Sequence, residues 1–553
     1  MSAREDVSSG KEKTVEPKTE LPTLMVAGSW EELFQGQARA ALEGVLPAYM
    51  QPRRWFGSKA RTLQAAEIVE AVAVGHIAIL ALVRVTYREG KPETYLLPLT
   101  FSSGERAEEL RRERPQAVVA LVQTPTASGI LYDAVWENRF GEAVLELIAQ
   151  QQALPGSAGE VVASATAVFP QLRGPREQSL PPALMGAEQS NTSIRYGDRL
   201  ILKLFRRLEA GTNPDLEIGH FLTQKAAFAH IPPVAGALEY RRQEGGEPVT
   251  LAILQGFVPN QGDAWRYTLD SLGQYFERVR SQRPVEPLPG ESPLELAQQD
   301  IPRPAYELIG DYLESAQLLG RRTAEMHLAL ASGADDPGFA PEAFTLSYQR
   351  RLHQDVQNLT GRIFTLLRQR LAHLPKAIRP EAQQVLELEP EILKRFHSLL
   401  ERKISALRIR THGDYHLGQV LYTGQDFMII DFEGEPARSL QERRRKRSPW
   451  QDVAGMLRSF HYAAYAAFFE QATAEEHGLE AWIHFWHIWV SAAFLKTYLE
   501  VLGPASFHPP SSEEVRILLN VYLLEKAVYE LGYELNNRPD WVKIPLQGIR
   551  QTL

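Results

Sequence analysis

The sequence predicts an α+β protein in which two strand-rich modules precede a mostly helical half. Three observations carry this. Apolar runs at Ile68–Val74, Ile77–Val85 and Thr94–Thr100 are separated by turn residues, which marks an antiparallel sheet. Between Gly186 and Val258 a turn, a hairpin, a helix and further strands follow one another. Beyond Trp265 the apolar periodicity becomes helical. A length of 553 residues exceeds a single compact core, since domains run to roughly 100–200 residues. The divisions expected are a disordered tail over 1–22, a first module over 23–158, a second over 159–262 and a helical region over 263–553.

The tail is polar and rich in Lys, Glu and Ser, too poor in apolar residues to fold by itself. Trp30–Leu46 reads as an amphipathic helix ahead of the three strands, and Asn138–Gln152 as another. Leu154-Pro155-Gly156-Ser157-Ala158-Gly159 is a breaker cluster that fits an internal boundary. Further on, Ser193–Tyr196 and Arg199–Phe205 flank Gly197-Asp198, a hairpin turn, and Lys203 stands as a cation in the largely apolar second strand. Asn213-Pro214 has the form of an N-cap followed by proline at the first helical position, with Glu217 in the first turn of the helix it opens. Pro284–Pro293 and Pro302–Pro304 read as surface loops. Ala316–Leu330, Ser347–Leu371, Leu479–Leu499 and Ser512–Leu535 read as long helices.

Composition narrows the chemistry. A net charge of -8 argues against a dedicated nucleic-acid binder, which needs a surplus of Lys and Arg on its binding face. With no cysteine, disulfides, thiolate metal sites and cysteine nucleophiles are excluded. The charged N-terminal residues lack a signal-peptide core, and no apolar run approaches the roughly 18 residues a membrane span needs. A cytoplasmic enzyme acting without membrane or nucleic acid is the expectation.

The strongest local signal is Thr411-His412-Gly413-Asp414-Tyr415-His416-Leu417-Gly418-Gln419, followed after a short hairpin by Ile429-Ile430-Asp431-Phe432-Glu433. Phosphoryl transfer from ATP needs a carboxylate to orient and deprotonate the attacking hydroxyl, together with oxygen ligands that hold Mg2+ on the phosphates. Protein kinases place an Asp, an Asn five residues later, and a metal-binding Asp beyond a hairpin. Here Asp414 precedes Gln419 by five residues, and Val420–Tyr422 and Phe427–Ile430 form the arms leading to Asp431. The amide oxygen of Gln419 remains a hard neutral ligand suited to magnesium.

His-Gly-Asp-x-His-x-Gly-Gln with Ile-Asp-Phe-Glu resembles the aminoglycoside phosphotransferase-like branch of the protein-kinase-like fold, and more closely the maltokinase family. Arg53-Arg54-Trp55-Phe56-Gly57-Ser58-Lys59 resembles the N-terminal motif of that family, and Gly186–Ser193 its phosphate-loop region. Asn213-Pro214-Asp215 with Glu217 is similar to its following helix, and Glu525–Leu531 with Tyr533–Trp541 to its C-terminal segment, also seen in trehalose synthase fusions. The resemblance implies a bilobal fold with an N-terminal cap, a mixed N-lobe, a helical C-lobe and ATP between the lobes. It gives Lys203 the α- and β-phosphates, Glu217 the orientation of Lys203, and Gln255, Phe257 and Val258 the inter-lobe connection facing adenine. Ser190, Asn191, Thr192 and Ser193 would serve the phosphates in place of a Gly-rich loop. Asp414 would be the base, Gln419 and Asp431 would hold magnesium, and Glu433 would be a further ligand or a sugar contact. Sugar contacts would come from Lys526, Tyr529, Glu530 and Tyr533, which share one helix face, with His416 and Arg438 beside them. The implied reaction is ATP-dependent phosphorylation of maltose at O1 to maltose 1-phosphate, feeding α-glucan synthesis, with trehalose synthase as the supplier of maltose and the candidate partner.

Plainer readings stand beside these. Asp414 alone would be a turn cap, Lys203 a strand-edge cation, and Glu217 a first-turn acid stabilising its helix. Tyr529 and Tyr533 could simply pack. Trp482, Trp486 and Trp489 form a core stripe, His327 is a satisfied core histidine, and Asp452 secures a loop. Arg443–Arg447 is either a solvated loop or an attractor for phosphate. A different acceptor, such as glucosamine or an aminoglycoside-like amine, and a silent module scaffolding trehalose synthase are the competing functions.

Overall fold

The structure is a computed structural model, and it describes residues 21–186, 190–280, 282, 292–471 and 479–553. Most of the expected tail, and most of the expected loop at Pro284–Pro293, lie outside the described residues. Leu21 and Pro22 already belong to the fold, because Pro22 O accepts from Leu121 N at 2.8 Å.

The first sheet is built from β1 (Thr23–Met25), β2 (Leu63–Val74), β3 (Ala78–Tyr87), β4 (Glu93–Ser103), β5 (Val118–Gln123) and β6 (Ser128–Asp133), in the order β1-β5-β6-β4-β3-β2. The apolar runs read from the sequence give β2–β4 apolar side chains on both faces. Ile68, Val83 and Leu97 pack under the helix Gly36–Met50, whereas Val72, Leu80 and Leu96 pack against the second module. This sheet is therefore a cap bonded to its neighbour over a whole face, consistent with the apolar character of β3 on both sides.

The second sheet runs β7-β8-β13-β14-β11-β10-β9, from β7 (Ala153–Pro155), β8 (Gly159–Ala165), β9 (Pro182–Leu184), β10 (Asn191–Tyr196), β11 (Leu200–Phe205), β13 (Val234–Arg242) and β14 (Val249–Gly256). Between them, β12 (Arg207–Leu208) crosses to pair with β4 and extends the cap sheet. The boundary expected near 158 needs correction. The breaker cluster around Gly156 is the tight turn of the β7–β8 hairpin, with Gly156 N donating to Gly159 O at 2.7 Å. Helix Asn138–Gln150 buries Phe140, Val144 and Ile148 among residues of the second sheet, so it belongs to the N-lobe core.

The remaining chain wraps long helices around one large core. Tyr312–Ala331, Leu346–Arg370, Trp450–Gln471, Leu479–Leu502 and Ser512–Asn537 contribute to it, and Trp482, Trp486 and Trp489 are buried there as the core stripe. At Pro302–Pro304 the expected loop is instead a helix start: Pro304 lies in the first turn of Arg303–Ile309, where a missing N–H costs nothing. Among the described residues no helix is long and apolar enough to cross a membrane.

Candidate active site

The site assembles where β10 and β11 and the helix Pro214–Gln224 meet the C-lobe hairpin Val420–Tyr422 and Phe427–Ile429. Asn213 caps the helix, its Oδ1 accepting from Asp215 N at 2.9 Å, and Pro214 fixes the first turn. That geometry aims Asp215 at the cleft. Its Oδ2 lies 2.9 Å from Lys203 Nζ, and its Oδ1 accepts from Phe432 N at 3.0 Å. Lys203, midway along β11, also contacts Asp431 and sits 2.7 Å from Glu433 Oε1. Burial would pull the Lys203 ammonium down, but Asp215, Asp431 and Glu433 hold it well above its ordinary value. The lysine is therefore held in its charged form.

Glu217 does not orient Lys203. Two residues apart on a helix, Asp215 and Glu217 point to different faces. Glu217 faces Arg410 at 2.8 Å and Arg444 at 2.9 Å, tying the helix to the C-lobe. Arg444 belongs to the basic run, whose neighbours Arg443 and Lys446 are likewise held by acids, Glu209 and Glu342. Arg443, Arg444 and Lys446 are therefore held in framework ion pairs, whereas Arg445 is exposed and, with Arg447, lines the larger of the two cavities that meet at Asp414.

On the C-lobe side, Asp452 fixes the loop that carries Asp414. Its two carboxylate oxygens accept from His412 N at 2.8 Å and Gly413 N at 2.9 Å, and buried His327 reaches it at 3.2 Å while bonding Tyr498 at 3.0 Å. Gly413 takes φ +84°, and a Cβ there would meet the backbone of Gly434 at 3.3 Å. Asp414 then presents its carboxylate 3.4 Å from Lys526 Nζ. Burial pushes that carboxyl up, but Lys526, His416 and His412 more than offset this and leave it below the ordinary range. Five residues on, Gln419 Nε2 lies 2.9 Å from Asp431 Oδ2. Asp431 itself adopts φ +68°, a left-handed conformation uncommon outside glycine, which turns its carboxylate toward Lys203 and Gln419.

Two cavities meet at Asp414. One, of about 250 Å³, is lined by Ser190, Asn191, Asn213, Gln419, Asp431 and Glu433 among others. The second, of about 780 Å³, is lined by Arg438, Lys526, Tyr529 and Tyr533 together with Asp355, Glu435, Glu525 and Asn536. Within it Arg438 pairs with Glu435 at 2.6 Å and Glu525 at 3.6 Å.

Several expected contacts fall elsewhere. Asn191 reaches the smaller cavity, where its Nδ2 donates to Glu433 Oε1 at 2.7 Å, but strand alternation turns Thr192 away to accept from Arg206 at 2.8 Å. Ser193 pairs across the sheet from Lys203, and neither it nor Thr192 lines the cavity. His416 caps the turn Leu417–Gln419, accepting from Gly418 N at 3.1 Å, and stands 3.9 Å from Asp414 without lining the larger cavity. Glu433 lies with Lys203 rather than in the larger cavity, so it is no sugar contact there. Glu530 is bound to buried Arg458 at 2.6 Å, which removes it from the sugar set. Gln255 is the next-to-last residue of β14, and Phe257 and Val258 follow that strand in the link between lobes, which is stitched to the C-lobe hairpin by Gln261 N donating to Tyr422 O at 2.8 Å.

Asp215 is the residue beside Lys203 that the sequence reading left without a role. The N-cap followed by proline marks where the helix starts, but does not say which of its first-turn acids meets Lys203. Oxygens of Asp215, Asp431 and Glu433 lie within 4.8 Å of one another. Such an all-oxygen set, with a Gln amide beside it, fits magnesium.

Comparison with known proteins agrees with this architecture. Residues 49–136 match the maltokinase N-terminal cap domain. Glucosamine kinase of Streptacidiphilus jiangxiensis is 24% identical over 360 residues, covering 65% of this chain and 70% of that protein. Glucosamine kinase of Mycolicibacterium smegmatis is 23% identical over 364 residues, covering 65% and 76%. A solved structure of glucosamine kinase in complex with glucosamine, ADP and inorganic phosphate superposes with a TM-score of 0.60 at 19% identity, covering 96% of this chain and all of that one. Residues 49–136 are thus similar to the maltokinase N-terminal cap domain, and the chain as a whole has the fold of the solved glucosamine kinase.

Proposed function

We propose that the protein is an ATP-dependent kinase that phosphorylates the O1 hydroxyl of maltose, giving α-maltose 1-phosphate. The observation that carries this is the position of Asp414 between a small acid-lined cavity and a larger cleft of mixed polar and aromatic lining. Asp414, ionised and fixed by the Asp452 clamp, takes the proton from O1 as that oxygen attacks the γ-phosphorus. The bond from phosphorus to the β–γ bridging oxygen breaks, and ADP departs with that oxygen. Lys203 neutralises phosphate oxygens on the N-lobe side. Gln419, Asp431, Glu433 and Asp215 would hold magnesium, which supplies charge neutralisation at the phosphates.

A cleft of about 780 Å³ falls in the range of about 300–1,000 Å³ usual for small-molecule sites, and Tyr529 and Tyr533 offer ring faces to a neutral sugar. The cap domain match favours maltose, and trehalose synthase is then the proposed supplier of it. A second reading is glucosamine, named for both curated relatives, and Asp355, Glu435 and Glu525 in the same cleft offer carboxylates to an amine.

Phosphorus NMR after incubation with Mg-ATP and maltose, glucosamine, glucose or an aminoglycoside separates these. An anomeric phosphate from maltose alone is the expected result. Selective phosphorylation of glucosamine transfers the proposal to the second reading, and transfer to none revives a non-catalytic module. Asp414→Asn should lower kcat by roughly 10²–10⁴-fold with nucleotide affinity retained, and unchanged turnover would remove Asp414 as base.

A further inference from the structure

The cap is more than a cover for the N-lobe, because part of it lines the transfer cavity. Arg54, Trp55 and Gly57 face the same space of about 250 Å³ as Asp414, Gln419 and Asp431. They arrive on a fixed backbone. Arg53 N donates to Met50 O at 3.0 Å, and Phe56 N to Arg53 O at 3.2 Å. Arg53 and Trp55, on either side of Arg54, are both buried, whereas Arg54 is exposed. The Arg53 guanidinium lies 4.4 Å from the centroid of the Tyr49 ring, and the Trp55 ring lies 5.3 Å from the guanidinium of Arg206. Arg206 in turn is locked to Asp133 of β6 at 2.7 Å and to Thr192 of β10 at 2.8 Å. The buried, exposed, buried sequence thus delivers one long cationic side chain to the cavity from an anchored turn.

Charge gives that cation a task. Asp414, Asp431 and Glu433 place carboxylates on the lining, and a phosphoryl group in transit spreads negative charge over three equatorial oxygens. These oxygens need donors that strengthen as the charge redistributes, and a planar guanidinium with a fork of N–H groups is suited to two of them at once. We propose that Arg54 is a catalytic residue lent by the cap, contacting the transferred phosphoryl group in the transition state. The inference rests on the kinase reading above. It makes the cap a component of the transfer site, so that cap and lobes must be docked for turnover.

An interaction made chiefly in the transition state is lost in kcat, not in the affinity for product nucleotide. The test compares the full-length wild type with Arg54→Ala and Arg54→Lys. Turnover with maltose, or whichever acceptor the wild type accepts, is measured beside calorimetric binding of Mg-ADP and of Mg-ADP with tetrafluoroaluminate, and beside the melting temperature. Arg54→Ala should lower kcat by about 10²-fold or more, by analogy with other phosphoryl-stabilising arginines. It should weaken the tetrafluoroaluminate complex while leaving Mg-ADP binding and melting unchanged, and Arg54→Lys should recover part of the loss. Wild-type turnover in Arg54→Ala overturns the inference, as does a loss that tracks Mg-ADP affinity or melting temperature. A wild-type protein that transfers to no acceptor overturns the kinase reading itself and this inference with it.

Discussion

At the scale of single residues, the base and its neighbour Lys526 make one electrostatic unit. Asp414 is buried enough for its carboxyl to be pushed up, and the Lys526 ammonium is foremost among the groups that bring it back below its ordinary value of about 3.9. The base must be deprotonated to work, so activity falls as pH drops through its pKa. In Lys526→Met the push from burial remains and the main counter-charge is gone, so the acid limb of kcat/KM should move to higher pH. Profiles of both proteins from acid to neutral pH check this, and a limb that stays in place or moves down would show that Lys526 does not set the base. The same scale shows what the sequence could and could not reveal about the site. Asp414, Gln419 and Asp431 were legible because their spacing is local and rigid: one loop, one hairpin. Asp215 and Glu217 were not separable by type, since both are first-turn acids. Only the direction of each side chain relative to β11 decides that Asp215 meets Lys203 while Glu217 meets Arg410 and Arg444.

Among elements, one carboxylate adds a polar tie to the apolar face that joins cap and N-lobe. Glu70 on β2 is buried and accepts from Ser157 Oγ at 2.8 Å, Ser157 N at 3.0 Å, Ala158 N at 2.8 Å and Tyr240 OH at 2.9 Å. Burial pushes its carboxyl up, but these donors together depress it below the ordinary glutamate value. Glu70→Gln cannot accept all four bonds and turns an amide N–H toward donors, so it should cost about 1–3 kcal/mol at neutral pH. The sign in pH follows from the depression. The stabilisation is complete above the unfolded-state value of about 4.3 and is lost as pH falls through the lower folded value. Urea unfolding should therefore show a gap between variant and wild type at pH 7 that narrows below about pH 4, and a gap independent of pH would mean that the charge of Glu70 carries none of it. These contacts also explain why the domain edge was misplaced. Prolines and glycines around Gly156 punctuate the chain in the same way whether they end a domain or turn a hairpin. What decides is that β7 and β8 pair and that Glu70 grips their turn from the other sheet, and a local pattern carries no information about such distant partners. Strands and helices themselves were legible, because periods of two and of 3.6 are local properties.

For the molecule as a whole, the junction of the lobes is a cluster of charge rather than an apolar seam at the transfer site. Lys203 and Asp215 come from the N-lobe, Asp431 and Glu433 from the C-lobe, and the ammonium occupies the middle of the acids. This arrangement holds the lobes together without a bound cation, so the melting temperature of the unliganded wild type should respond little to magnesium or to EDTA. Replacing the ammonium reverses that expectation. In Lys203→Met three carboxylates with oxygens within 4.8 Å of one another lose the ammonium between them, and since only Asp215 is fully buried the cost should stay below the roughly 3–5 kcal/mol of breaking a fully buried pair. A divalent cation can then occupy the place of the ammonium and bind the folded state alone, which raises its stability by mass action. Calorimetric melting of both proteins with magnesium and with EDTA decides it. The expected result is a variant that melts well below the wild type in EDTA and recovers part of the difference in magnesium. A variant that melts like the wild type in EDTA, or a wild type that gains more from magnesium than the variant does, would show that the acids are not held apart by Lys203 and that the lobes are joined by other contacts.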